Sequence, residues 1–223
     1  MAYNPKRLFR VCTPGSELDV PEFQELYTAY SQAMWSWSRA ENKLFIIFAF
    51  ALSGNDPDVP ALRELFFSVI SPQARIDMIH AIAKIRWKKS GIWNDWVKLY
   101  EELKTQLSIR GKLAHLVGYA YYPKPKNKKA ETLIMAPPWH PNAPVTHGQA
   151  KASGYDAAKL SMLASEWEKL SSRLGVFVAL AEHEKQPQGI GLAKEYLRRL
   201  LHNPNDQTPA KLKPQLSASE RKS

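Results

Sequence analysis

Arg110 and His115 stand five positions apart where a long helical pattern gives way to Gly118 and a run of tyrosines. An imidazole titrates near neutrality and can take or give a proton, and a guanidinium can stabilise developing negative charge. A helix end, where orphan backbone groups and charged side chains come together, could bring such a pair into use for chemistry. A charged helix terminus with a purely structural role has the same composition. At about 100° per residue, five steps leave the side chains about 140° apart, so they share a face only where the helix bends or ends. Gly118 favours an end near His115, because glycine is the usual residue just past a helix C-terminus.

Arg110 also falls on an apolar stripe. Trp93, Trp96, Tyr100, Leu103, Leu107 and Ala114 recur at three or four residues apart from one double step, and Arg110 fills the skipped position. Glu41 occupies a similar gap in the stripe Phe23, Tyr27, Tyr30, Met34, Trp37, Leu44 and Phe48, and Arg75 lies at the upper end of the stripe Met78, Ile79, Ile82 and Ile85. A carboxylate on a core-facing stripe must find a cation, find hydrogen-bond donors or take up a proton. The expectation is an ionic network of Glu41, Arg75 and Arg110, serving either as a structural clamp or as the support of a reactive site.

A second set of candidates follows the stretch around His115. Tyr119 to Tyr122 and Thr132 to Met135 are short strand-like runs either side of Pro123-Lys124-Pro125-Lys126-Asn127-Lys128-Lys129, which reads as a β-hairpin with a basic tip. Lys124, Lys126, Lys128 and Lys129, with Lys112, can follow a phosphate backbone, and Tyr121 and Tyr122 offer rings for stacking bases. An ordinary solvated loop has the same residues. His140 and His147 have too few neighbouring ligands for a metal site, and Cys12, the single cysteine, excludes an intrachain disulfide and a cysteine-based zinc site. No metal or cofactor is expected.

The elements that must position these groups are helices. The first begins near Asp19-Val20-Pro21-Glu22 and stops at Ser53-Gly54-Asn55, about 50 Å of helix. Ala61 to Val69 reads as a short helix, and Ser71-Pro72 as the cap and first position of the next. A closing helix capped by Ser153 carries Ala157, Leu160, Leu163, Trp167, Leu170, Leu174, Phe177 and Val178. The fold class is thus mainly α: four long or medium antiparallel helices in a bundle, with a β-hairpin inserted before the last. Residues 1–18 read as an irregular lead-in and 19–185 as the domain, with the hairpin at about 118–137. Residues 186–223 read as a basic, partly disordered tail containing a short helix from Leu192 to Leu201.

With 223 residues, 44% of them hydrophobic, the chain can bury one substantial core. The net charge of +10 suits a polyanionic partner such as RNA, DNA or an acidic protein. The longest apolar run, Leu44 to Leu52, is less than half of the roughly 20 residues a membrane span requires, and the N-terminal residues lack a secretory pattern. A cytoplasmic protein with no membrane partner is the expectation.

The segment Arg110-Gly111-Lys112-Leu113-Ala114-His115 resembles the Arg-x4-6-His signature of HEPN domains, helical proteins that include metal-independent ribonucleases and toxin components. Arg75 to His80 is a second match to the same spacing. The context adds Trp-x-x-x-Glu-Asn from Trp37 to Asn42, Ala-Arg-x-Asp from Ala74 to Asp77, and a Leu-Ala-His ending followed by a hairpin and a closing helix. The similarity covers about residues 22–183, with Gly111 and Leu116 departing from the commoner pattern. The resemblance implies a metal-independent endoribonuclease or toxin-like protein. His115 would act as base on the RNA 2′-hydroxyl or as acid to the leaving oxygen, and Arg110 would stabilise the phosphorane. It also implies a homodimer and a nucleotidyltransferase-type antitoxin as a possible partner. Trp35, Trp87 and Trp93, too many aromatics for one core, fit a homodimer interface. The alternative is a non-catalytic helical module that binds RNA or a protein.

Overall fold

Two helices with matched heptad spacing form the centre of the molecule. In α1 (Pro21–Ser53) the buried positions Phe23, Leu26, Ala33, Trp37, Ala40, Leu44, Ile47 and Ala51 follow steps of three and four, or their sum. In α5 (Ala157–His183) Leu160, Leu163, Trp167, Leu170, Leu174, Phe177 and Ala181 do the same. Both seams are the kind one helix presents to another along its whole length. The alanines on α1 allow close approach, and the two indoles Trp37 and Trp167 meet edge-on with centroids 5.3 Å apart.

The computed structural model describes residues 9–11, 21–53, 59–121, 132–137, 154–183 and 191–203. The remaining elements among these are β1 (Phe9–Val11), α2 (Val59–Ser68), α3 (Pro72–Trp87), α4 (Trp93–Leu113), β2 (Val117–Tyr121), β3 (Thr132–Ala136) and α6 (Gly191–His202). The chain is mainly helical. No described helix is long and apolar enough to cross a membrane.

The sequence led us to expect the four longer helices to alternate in direction, and they do not. Trp37 meets Trp167, Arg39 binds Glu168 and Lys43 lies beside Gly175, so contacts advance together along α1 and α5 and the two run the same way. Along α4 and α5 the order is opposed: Trp96 meets Phe177, Glu102 binds Arg173 and Gln106 accepts from Trp167. The short α2 accounts for the difference. It brings the chain back from the end of α1 until Phe66 packs on Phe45 and Phe48, so α3 starts beside Glu41 and heads along α1 again. One extra reversal sets α5 parallel to α1.

Local signals at helix starts are partly as expected. Ser71 accepts from the Ala74 backbone N–H at 3.3 Å and Pro72 takes the first helical position of α3. Asp156 caps α5, its Oδ1 accepting from Lys159 N–H at 2.8 Å; Ser153, the cap expected from the sequence, lies outside the described residues.

The three strands form an antiparallel sheet in the order β1-β2-β3, with Phe9 opposite Tyr121 and Gly118 opposite Met135. Residues 9–11 are therefore strand, where the sequence suggested an irregular lead-in. Gly118 lies within β2 and is not a helix terminator. A Cβ there would come within 2.7 Å of Tyr27 Oη and 3.3 Å of its ring, so glycine lets the sheet close onto α1. Within the expected tail, α6 packs on α5, with Leu201 buried. Arg198 and His202 approach the buried Asp95 of α4 at 3.4 and 3.3 Å, and Arg198 donates to the Gly91 carbonyl at 2.9 Å. Residues 204–223 lie outside the described residues.

Candidate functional site

α4 ends at Leu113, between the two members of the candidate pair. Its last turn carries Arg110 and Lys112, and the Ala114 N–H still reaches the Arg110 carbonyl at 3.0 Å. The His115 and Leu116 amides then bond three residues back, to Lys112 and Leu113, which tightens the end before β2 starts. His115 sits in this turn, exposed, and Lys112 is exposed beside it. Gly111 faces open space, since nothing lies within 4 Å of where a Cβ would be. Cationic side chains in the last turn also complement the negative end of the helix dipole.

Arg110 is half-buried, with Nε enclosed and without a hydrogen-bond acceptor. Among the described residues it forms no ion pair. The expected three-residue network is thus a pair. Glu41 and Arg75 meet at 3.6 Å, both mostly buried, and Arg75 Nε donates to the Val69 carbonyl at 2.6 Å while its guanidinium lies 5.7 and 5.3 Å from the rings of Phe66 and Phe67. Arg75 is tied to the α2–α3 junction by these contacts, which is why Glu41 is neutralised without Arg110. The physical consequence is a guanidinium that has lost much of its water and gained no carboxylate, an arrangement that favours an anion from outside.

The second Arg-x4-His match does not form a site. Arg75 turns toward α1, whereas His80 turns toward α4 and stacks on Tyr100 with centroids 3.9 Å apart and Trp93 at 5.5 Å. Tyr100 Oη and Gln73 Nε2 both donate to Asp77 Oδ1 at 2.8 Å. Burial, reinforced by Lys84, lowers the pKa of His80, and its Nδ1 is enclosed without a partner. Burial and the hydrogen bond to Asp77 raise the pKa of Tyr100.

Of the proposed nucleic-acid contacts, Tyr121 lies in β2 opposite Phe9 and Thr132. Tyr122, Lys124, Lys126, Lys128 and Lys129 lie outside the described residues. Of the three tryptophans considered for an interface, Trp35 is 62% exposed, Trp87 is buried against Phe177 at 5.4 Å and Trp93 is half-buried beside His80. Sequence reading missed the partly buried Glu102–Arg173 pair between α4 and α5, where burial lowers the arginine pKa, and also the Asp95 contacts with α6. Asp95 was visible only as an acidic residue suited to a helix N-terminus, a signal that names no partner. No family model matches the chain, and no curated protein or solved structure matches it.

Proposed function

We propose that this is a HEPN-like protein acting on RNA as a metal-independent endoribonuclease, with the end of α4 as its working surface. The observation that carries the reading is the half-buried Arg110, which forms no ion pair among the described residues, at the helix end that also carries the exposed His115. A structural arginine at that depth would be expected to hold a carboxylate, and among the described residues none pairs with Arg110.

In this reading Arg110 stabilises the charge that grows on the phosphorane, and His115 moves the proton of the attacking 2′-hydroxyl or of the leaving oxygen. Lys112, and the lysines from Lys124 to Lys129 with Tyr121 and Tyr122, hold the flanking backbone and bases. The net charge of +10 supports a polyanionic substrate. The same reading treats the domain as a four-helix bundle of α1, α3, α4 and α5 with the β2–β3 hairpin inserted. It works in the cytoplasm as a homodimer that pairs two α4 ends, with a nucleotidyltransferase-type antitoxin as a candidate regulator.

The test is cleavage of single-stranded RNA in EDTA. The expected products carry 2′,3′-cyclic phosphate ends, and an all-deoxy strand of the same sequence stays intact. Wild-type protein that binds RNA without cutting it would end the catalytic reading and leave a non-catalytic binding module.

A further inference from the structure

α3 is apolar on two faces, and the fold covers one. Ile76, Ile79, Ala83 and Trp87 are buried in the core. Ala74, Met78, Ala81 and Ile85 follow steps of four, three and four on the other side; Ile85, for example, is about 160° around the helix from Trp87. That spacing is a helix-packing seam, and among the described residues no helix or strand completes it. Ala74 and Ala81 are exposed and Ile85 is 89% exposed, while Met78 and its neighbour Ile82 pack against the core on one side and are half-exposed on the other, forming the edge of the ridge.

Charge flanks the C-terminal half of this ridge. Lys84, Arg86, Lys88 and Lys89 are all exposed, and among the described residues none forms an ion pair. The acidic residue beside the ridge, Asp77, is already the acceptor for Tyr100 and Gln73. The two alanines leave room for a second backbone to come close, while Met78, Ile82 and Ile85 provide the apolar contact.

We infer that this ridge docks an acidic amphipathic helix of a partner protein. The partner's apolar side lies along Ala74 to Ile85, and its glutamates or aspartates face Lys84, Arg86 and Lys88. RNA would satisfy the cations but gains little from an aliphatic ridge, because bases stack on aromatic rings and none lies on this seam. A second copy of the chain brings a charge of +10 toward +10. The inference does not depend on catalysis at Arg110 and His115.

The probe is a synthetic helix about 20 residues long, with leucines at alternating steps of three and four and glutamates beside them. It is titrated into the isotope-labelled full chain and followed by amide chemical shifts. Shifts should concentrate in residues 74–89, weaken with added salt, and require about tenfold more peptide in Ile85→Asp, whose melting temperature stays close to wild type. No shifts at millimolar peptide, shifts centred on another face, or equal binding by Ile85→Asp would overturn the inference. It would equally be overturned if a single-stranded oligoribonucleotide bound this face more tightly than the peptide, or if Ile85→Asp abolished self-association of the chain.

Discussion

Replacing Arg75 with alanine should destabilise the protein far more than replacing Arg110, although both are half-buried arginines on helix faces that point inward. Arg75→Ala leaves the Glu41 carboxylate without its cation, removes the 2.6 Å bond to the Val69 carbonyl and strips the guanidinium from above Phe66 and Phe67. A hydrogen bond from a charged group contributes about 1.5 to 3 kcal/mol, and breaking a fully buried pair costs about 3 to 5 kcal/mol. With Arg75 and Glu41 side chains 16% and 20% exposed and 3.6 Å apart, the pair falls below the fully buried case, so about 2 to 3 kcal/mol is expected. For a chain of this length that is roughly 4 to 12 °C in melting temperature. Arg110→Ala removes no ion pair and should cost about 1 kcal/mol or less, the ordinary value for a substitution without a lost partner. Urea unfolding of the two variants and of Glu41→Gln, followed by circular dichroism, measures all three. Equal costs, or a larger cost at Arg110, would mean that Arg110 belongs to the ionic network after all.

Stability should fall as pH drops below about 6.5. The lowered pKa of His80 means that the unfolded chain binds a proton in that window which the folded chain resists, so this contribution is intact above 6.5 and is lost toward the folded-state value. His80→Phe should flatten the melting-temperature profile between pH 7 and 5.5, and an unchanged profile would remove His80 as the cause. At the alkaline end the sign reverses: the raised pKa of Tyr100 leaves stability intact below about 10 and lost above it, and Tyr100→Phe should weaken that decline. Gly118→Ala forces a methyl to within 2.7 Å of the Tyr27 hydroxyl and should cost about 1 to 3 kcal/mol by overpacking; the double variant with Tyr27→Phe should recover part of it.

Large side chains at helical spacing made the helices legible, and Ser71-Pro72 marked a helix start to the residue. The core registers of α1 and α3 are less legible, because large residues mark a stripe more plainly than the alanines between them. Ala33, Ala40 and Ala83 are buried, whereas Ile85, once assigned to the core stripe of α3, is among the most exposed apolar residues. The Glu41–Arg75 pair could be anticipated since a carboxylate on an apolar stripe needs a cation on a neighbouring helix. That Arg110 stays out of it could not, because periodicity gives the face a residue occupies and not its height along neighbouring helices: Gln106 meets Trp167, which meets Trp37, and from that level α4 and α1 carry Arg110 and Glu41 in opposite directions. Helix direction was missed for the same reason: periodicity locates a buried face but does not count reversals. Gly118 shows the limit of single-residue signals, since the glycine that suggests a helix end is required by a tyrosine 91 positions earlier in the chain.

RNA cleavage by Arg110→Ala is the most direct measurement of the central claim, made in EDTA on protein whose unfolding curve is recorded in the same buffer. An arginine held for a substrate phosphate and not for the fold should be replaceable with the unfolding midpoint nearly unchanged, while cleavage falls by two to three orders of magnitude, about 2.7 to 4 kcal/mol of transition-state stabilisation. A folded Arg110→Ala protein that cuts RNA as fast as wild type would contradict the account.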